Sequence, residues 1–373
     1  MNNTFIPKDF ITKNYNLLDE KKEQTTYKIK YVSQYVEKWL FVVTSIDNVK
    51  NINFIDCMCN AGVYKDGDIG TSLAVLRLFK EFAPKHPDKE FYLILNDINQ
   101  KRINVLIEVV KNYIGVNSTN IHIQTYNEDV NNFLLNDSVF SKYFNCYPNI
   151  ASNIIFVDPY NFCTVKISSL EHFLTKFYCE LIFNIFTNDY VRNQEKDKMQ
   201  AYCQSEGIPF VSKDEMVKLI AKRLKIGHIK YSFSYEFKIV TNTELYQIMF
   251  CTPNIRGLEK LKETLWDTFD GKEFHRNGTV NDSQMSLFTK DEEKDWRVES
   301  YSVTAREALV DSFSGQILTY SNIEEFVIEN TMLNGNQIIK NVIKPLISEG
   351  KIVKLGIVQR KSNYKSDKYQ IGK

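Results

Sequence analysis

The sequence predicts an α/β protein: a doubly wound, mostly parallel sheet closed by an antiparallel hairpin, with a small helical domain after it. Three observations carry this. Five short apolar runs recur along the first half of the chain, separated by segments of helical periodicity. Four of them end at or just before an acid, Asp56, Asp97, Asp129 and Asp158. Two β-rich alternating runs then follow, Tyr231 to Val240 and Leu245 to Cys251, separated only by Thr241 to Glu244.

The elements follow in order. The first two dozen residues are polar and mixed and read as an extended arm, residues 1–24. Tyr27 to Val43 has Ile29, Val32, Tyr35, Val36, Trp39 and Leu40 at three- and four-residue steps, an amphipathic helix. Ile52 to Asp56 is the first strand, and a loop containing Ala61, Gly62, Gly67 and Gly70 leads to a helix from about Ser72 to Phe82. Ala83 to Lys89 holds two prolines and closes it. Phe91 to Leu95 is the second strand, with Lys101 to Tyr113 helical behind it. Asn120 to Thr125, Ile154 to Val157 and Leu181 to Ile185 are the third, fourth and fifth, and Asn184 and Thr187 lie near the end of the last. Gln194 to Lys225 is helical and charged, an excursion over the sheet. The hairpin after it completes the layout of Rossmann-type methyltransferases, whose last strand inserts antiparallel. The domain so defined spans residues 25–270.

Gly271 to Asp295 is rich in Gly, Asn, Ser and Asp and reads as a linker, placed at residues 271–300. Thr304 to Phe313, Ser321 to Asn330 and Asn334 to Glu349 then form three helices, the last kinked at Pro345. Lys351 to Leu355 and Lys368 to Ile371 pair around a basic tip, completing a winged helix-turn-helix domain at residues 301–373. Asn336, Gln337, Lys340, Asn341 and Lys344 lie along its candidate recognition helix, and Arg360, Lys361, Lys365 and Lys368 crowd the wing.

Composition narrows the function classes. With 373 residues, 43% hydrophobic and 13% aromatic, the chain can bury a large core. Its 47 basic against 46 acidic residues leave a net charge of +1, so a nucleic-acid partner must be met by local basic patches. Seven Cys without repeated pair spacing, no signal peptide and no apolar run of spanning length give the expectation of a cytoplasmic protein with no membrane partner. Cys57 and Cys59 have no second Cys/His pair nearby, and His86, His122, His172, His228 and His275 are scattered singly. No metal site is expected, and no Ser/His/Asp or zinc hydrolase has support.

In open α/β sheets ligands collect at the carboxyl ends of the strands, where the acids fall in one register. The loop after Asp56 lacks a dinucleotide fingerprint, but Ala61 and Gly62 let backbone approach a bulky cofactor. Asp97, after the second strand, suits both ribose hydroxyls, and Asp129, after the third, suits an adenine amino group. Each acid alone could be a turn former. Asp158-Pro159-Tyr160-Asn161 resembles, with one proline missing, the D/N-P-P-Y/F signature of amino-methyltransferases. There the acid holds a target amine and the aromatic ring stacks on its base. A nucleobase amine is a poor nucleophile because its lone pair is delocalised, so an acceptor that orients its protons lowers the barrier. Asp158, Pro159 and Tyr160 are the candidate catalytic residues.

FIDCMCNAGVYKDGDIGTSLAVL, FYLILNDIN, NIIFVDPYNF and ELYQIMFCTPNIRGLEKLKETLW together resemble the three-Cys-motif partner family (TcmP), over about Thr25 to Asp270. The resemblance implies a Rossmann methyltransferase-like fold and a companion protein bearing three cysteines. By position it places Asp56, Ala61 and Gly62 around the cofactor, and Asp158 and Pro159 in the strand-end motif. The expected function is an S-adenosylmethionine-dependent methyltransferase acting on nucleic acid, DNA ahead of RNA, at a base amine. The alternative is a catalytically degenerate scaffold that binds DNA beside the three-Cys companion. It is favoured by NAGVY standing where the family often has a second glycine, as in AGPG. Finally, Gln284-Met285-Ser286-Leu287-Phe288 resembles the short peptide that docks bacterial proteins on the replication sliding clamp; folding back as a staple is its other reading.

Overall fold

A computed structural model of the chain describes residues 6–116, 118–144, 151–238, 243–276, 289–355 and 367–372. The chain divides into two compact units, Met1–Asn254 with His275–Gly278, and Ile255–Phe274 with Thr279–Lys373. The first holds the sheet.

Eight strands run in the order β3-β2-β1-β4-β5-β7-β6-β8. They are β1 (Asn51–Asp56), β2 (Glu90–Asn96), β3 (Ile121–Tyr126), β4 (Ala151–Val157), β5 (Glu180–Ile185), β6 (Tyr231–Lys238), β7 (Glu244–Thr252) and the short β8 (Phe274–Arg276). The first five pair in parallel, and β7 inserts antiparallel between β5 and β6. The reversal of strand order at β1 and β4 makes their carboxyl ends the switch point where a ligand crevice opens.

The helices α1 (Lys8–Asn14) and α2 (Glu23–Thr44) precede the sheet, and α3 (Thr71–Phe82), α4 (Gln100–Val109), α5 (Val130–Leu135), α6 (Asp137–Phe140), α7 (Ile167–Lys176), α8 (Thr187–Asn193), α9 (Asp197–Glu206) and α10 (Lys213–Leu224) connect its strands. Successive side chains point to opposite faces of a strand, and both faces are covered. On one, Ile55, Ile94, Ile155, Phe183 and Met249 pack with Phe133 of α5, Phe173 of α7 and Ile220 of α10. On the other, Tyr35 of α2 meets Phe250 edge-on and Phe79 of α3 meets Phe91. Runs buried on both faces read as continuous apolar stretches, which is why the strands are visible in the sequence.

The second unit opens with α11 (Ile255–Phe269), so the boundary falls before this helix and not at residue 270. Its other elements are α12 (Lys290–Phe313), β9 (Ile317–Thr319), α13 (Tyr320–Asn330), α14 (Gly335–Ile338), α15 (Lys344–Ser348), β10 (Ile352–Leu355) and β11 (Lys368–Ile371). The three strands form an antiparallel sheet, β10-β11-β9. Trp266 of α11 donates to the Met332 carbonyl at 2.7 Å, tying α11 to the loop after α13. A π-helical turn, Ile339–Ile343, joins α14 to α15 immediately before Pro345, whose ring nitrogen has no hydrogen to donate.

Several expectations need correction. The arm is not wholly extended, because Lys8–Asn14 is helical and buries Phe10 and Ile11. The linker ends earlier than residue 300: Thr289 and Glu292 form a reciprocal cap that starts α12 at Lys290, fourteen residues ahead of Thr304. Strands β8 and β9, three residues each, are too short to show a period. Gln284–Phe288, Arg360, Lys361 and Lys365 lie outside the described residues. Among those described, no helix is long and apolar enough to cross a membrane, and no group of three metal-ligating side chains occurs.

Candidate active site at the carboxyl ends of β1 and β4

A cavity of about 690 Å³ opens at the predicted end of the sheet. It is lined by Asp56 and Phe156, residues of the loop from Met58 to Lys65, the start of α3, Asp158–Tyr160 and Tyr246 of β7. The segment from Leu18 to Lys28 supplies a further wall.

Asp56 ends β1 and is buried. It accepts the Met58 N–H at 3.1 Å and the Ser72 hydroxyl. Burial pushes its carboxyl up to about 7 against those hydrogen bonds, and the charges of Asp158 and Asp97 push the same way. The loop beyond it is fixed by backbone. Asn60 sits at φ +54°, a left-handed conformation that Asn tolerates, and Gly62 at φ +71°. A Cβ on Gly62 would lie 3.0 Å from Leu106 and 3.1 Å from Leu73. The Gly70 N–H donates to the Gly62 carbonyl at 2.7 Å, closing a small hairpin in which Val63 bridges Ile69. That closure brings the N-terminus of α3, at Gly70 and Thr71, onto the cavity wall, and the positive end of a helix dipole favours an anion.

Asp97 and Asp129 are not on the cavity wall, and neither is Ala61. Asp97 lies behind the loop, accepting the Asn60 N–H at 3.0 Å and the Asn99 N–H at 2.8 Å. Asp129 caps α5 through the Asn131 N–H at 2.9 Å.

Asp158 is held from two sides. Asn184, at the end of β5, donates to Oδ1 at 2.8 Å, and Lys28 of α2 pairs with Oδ2 at 2.5 Å. The Lys28 Nζ also stands 5.8 Å from the Tyr246 ring centroid. Tyr160 is 52% exposed and accepts from Arg102 at 2.6 Å; Arg102 in turn pairs with Asp19 at 3.0 Å. Asp19 also receives the Asn60 side-chain amide, and its carbonyl accepts the Lys65 N–H at 3.0 Å. The N-terminal segment is thereby buttoned to the loop.

Sequence reasoning misses Lys28, Asp19 and Arg102, and it shows Asn184 only as a polar strand-end residue. One of them leaves a signal. Lys28 falls on the stripe that buries Tyr31, Val32 and Tyr35, so a charge occupies a core position of α2. A lysine there needs a partner. Asp19 and Arg102 meet across 83 residues of sequence, and nothing local announces that pair.

In the second unit Asn336, Lys340 and Lys344 are exposed at four-residue spacing and share one helical face. Gln337 is engaged in the cap at Asn334, accepting its N–H at 3.0 Å, and Asn341 gives its carbonyl to Arg306 at 2.7 Å. Lys368 is exposed at the start of β11.

No family model and no curated protein matches the chain. It aligns with a solved Legionella pneumophila protein at 12% identity, with 65% of this chain and 91% of that one covered and a TM-score of 0.36. A SAM-dependent methyltransferase of Methanosarcina mazei aligns at 9% identity, over 57% of this chain and 96% of that one, with a TM-score of 0.29. A 16S rRNA (adenine(1408)-N(1))-methyltransferase of Catenulisporales acidiphilia aligns at 7% identity, over 58% and 91%, with a TM-score of 0.28. The strand order rests on the chain's own pairing and not on these likenesses.

Proposed function

We propose that the chain is an S-adenosylmethionine-dependent methyltransferase acting on a base amine in nucleic acid, DNA ahead of RNA. The observation that carries this is the placement of Asp158 and Tyr160 on the wall of the cavity that also holds Asp56, Gly62 and the N-terminus of α3. Asp56, Gly62 and the N-terminus of α3 would hold the cofactor, which would supply a methyl group on a sulfonium centre that departs as a thioether. The chain's part is to orient the acceptor: Asp158 takes a hydrogen bond from the amine, Pro159 fixes the backbone that follows, and the half-exposed Tyr160 offers a ring to the base.

The second unit is read as a winged helix that supplies nucleic-acid affinity. The order α12, β9, α13, the α14–α15 segment continued through its π turn, and the β10–β11 pair, with the exposed Asn336, Lys340 and Lys344, supports that reading. A methyl-transfer assay with tritiated S-adenosylmethionine and separate DNA and RNA acceptors tests the proposal. Asp158→Ala and Tyr160→Ala are expected to abolish transfer while leaving cofactor binding nearly intact; full activity in both would reduce the motif to a turn.

One observation favours a second reading, a degenerate scaffold that binds DNA beside a three-Cys companion. Asp97, the candidate ribose acceptor, is turned to the backbone of Asn60 and Asn99. Absence of any S-adenosylmethionine binding, with nucleic-acid binding retained, would favour it.

A further inference from the structure

We infer that Lys28 of α2 is a positioning residue for methyl transfer, holding the Asp158 carboxylate charged and aimed so that it can accept the hydrogen bond of the incoming amine. This deepens the proposed function and rests on it. An acceptor of amine protons must be ionised, because a protonated carboxyl presents its own O–H. Asp158 lies close enough to the buried Asp56 carboxyl at the end of β1 for the two charges to oppose each other.

Among the described residues Lys28 is the one cation paired with Asp158. The Asp158 side chain is 21% exposed and that of Lys28 10%, so the pair is little screened by solvent. Its partner on the other oxygen, Asn184, is neutral and can orient the carboxylate but not keep it charged. The lysine comes from a helix that precedes the whole sheet, and so α2 completes the site that the strand ends begin. Each carboxylate oxygen has two acceptor positions, so the ion pair leaves Asp158 able to take the amine as well. Attack by that amine on the donor methyl forms the N–C bond as the C–S bond breaks, and the nitrogen's surplus proton leaves to water. Lys28 neither gives nor takes a proton in that step.

The test uses the full chain with Lys28→Met, which keeps length and removes charge, and Lys28→Arg, which restores charge. Aspartate side-chain carboxyl carbons are labelled and titrated by NMR, with Asp158→Asn identifying the signal. The midpoint for Asp158 is expected to rise by about one pH unit or more in Lys28→Met, a tenfold change in proton affinity, and to return toward wild type in Lys28→Arg. Transfer of the tritiated methyl group to DNA or RNA should lose its acid side over the same interval. An unmoved midpoint overturns the inference, and Lys28→Gln gives the same reading should Lys28→Met fail to fold. Because the titration needs no methyl donor, it separates the two claims. A moved midpoint with no transfer by wild type would defeat the methyltransferase reading, and with it Lys28's part in the reaction. An unmoved midpoint with active wild type would defeat only the role of Lys28.

Discussion

At the scale of residues, two buried carboxyls give the chain a pH signature. Burial lifts both Asp56 and Glu180 to about 7, the second despite hydrogen bonds from Tyr35 and Thr252. A carboxyl raised above its unfolded value holds its proton more tightly when folded. Its contribution is therefore fully present below about pH 4 and is lost as pH rises through about 7. Glu180→Gln should flatten part of the decline in thermal stability between those limits, read by melting curves at several pH values; an unchanged slope would contradict the assignment. The residue scale is also where sequence reading is weakest. Asp56 and Asp158 are legible because each ends a buried apolar run, and both reach the cavity. Asp97 and Asp129 carry the same signature, yet the chain turns them to backbone N–H groups. A strand-end acid shows where a carboxylate is, not which way it faces.

At the scale of elements, the loop between β1 and α3 shapes the wall of the cavity. Gly62→Ala would place a methyl group against Leu106 and Leu73 in a conformation that an L side chain resists. A loss of about 1–3 kcal/mol of stability and weaker S-adenosylmethionine binding are expected, measured by denaturant unfolding and calorimetry; wild-type values for both would show that the loop has slack. The N-terminal segment acts on the same loop through Asp19. Asp19→Ala should speed hydrogen exchange across residues 60–70, because the ties to Asn60 and Arg102 go together. Unchanged exchange would mean that the hairpin holds its shape unaided. Helices α2 and α3 are readable from period alone, but α1 and the early start of α12 are not. In α12 the apolar content is low, and the signal lies in the Thr289 to Glu292 cap instead.

At the scale of the whole molecule, the layout of sheet and second unit follows from the alternation of strands and helices, while the boundary does not. Helix α11 continues the hairpin in sequence but packs with α13, a pairing of distant segments that no local pattern contains. If the second unit supplies nucleic-acid affinity, Lys340→Ala with Lys344→Ala should weaken binding and lower its log–log salt slope by roughly 0.9 for each phosphate that the helix no longer neutralises. A slope equal to wild type would remove that helix face from the interface.

If the cavity at the ends of β1 and β4 is a methyl-donor site with Asp158 on its acceptor side, S-adenosylmethionine binds there without help from Asp158. Calorimetric titration of S-adenosylmethionine into the full chain, wild type beside Asp158→Ala, tests it most directly. Saturable binding at one site is expected in wild type, with nearly the same affinity in Asp158→Ala, since that carboxylate addresses the acceptor and not the donor. No binding by wild type would contradict it, and so would binding that depends on Asp158.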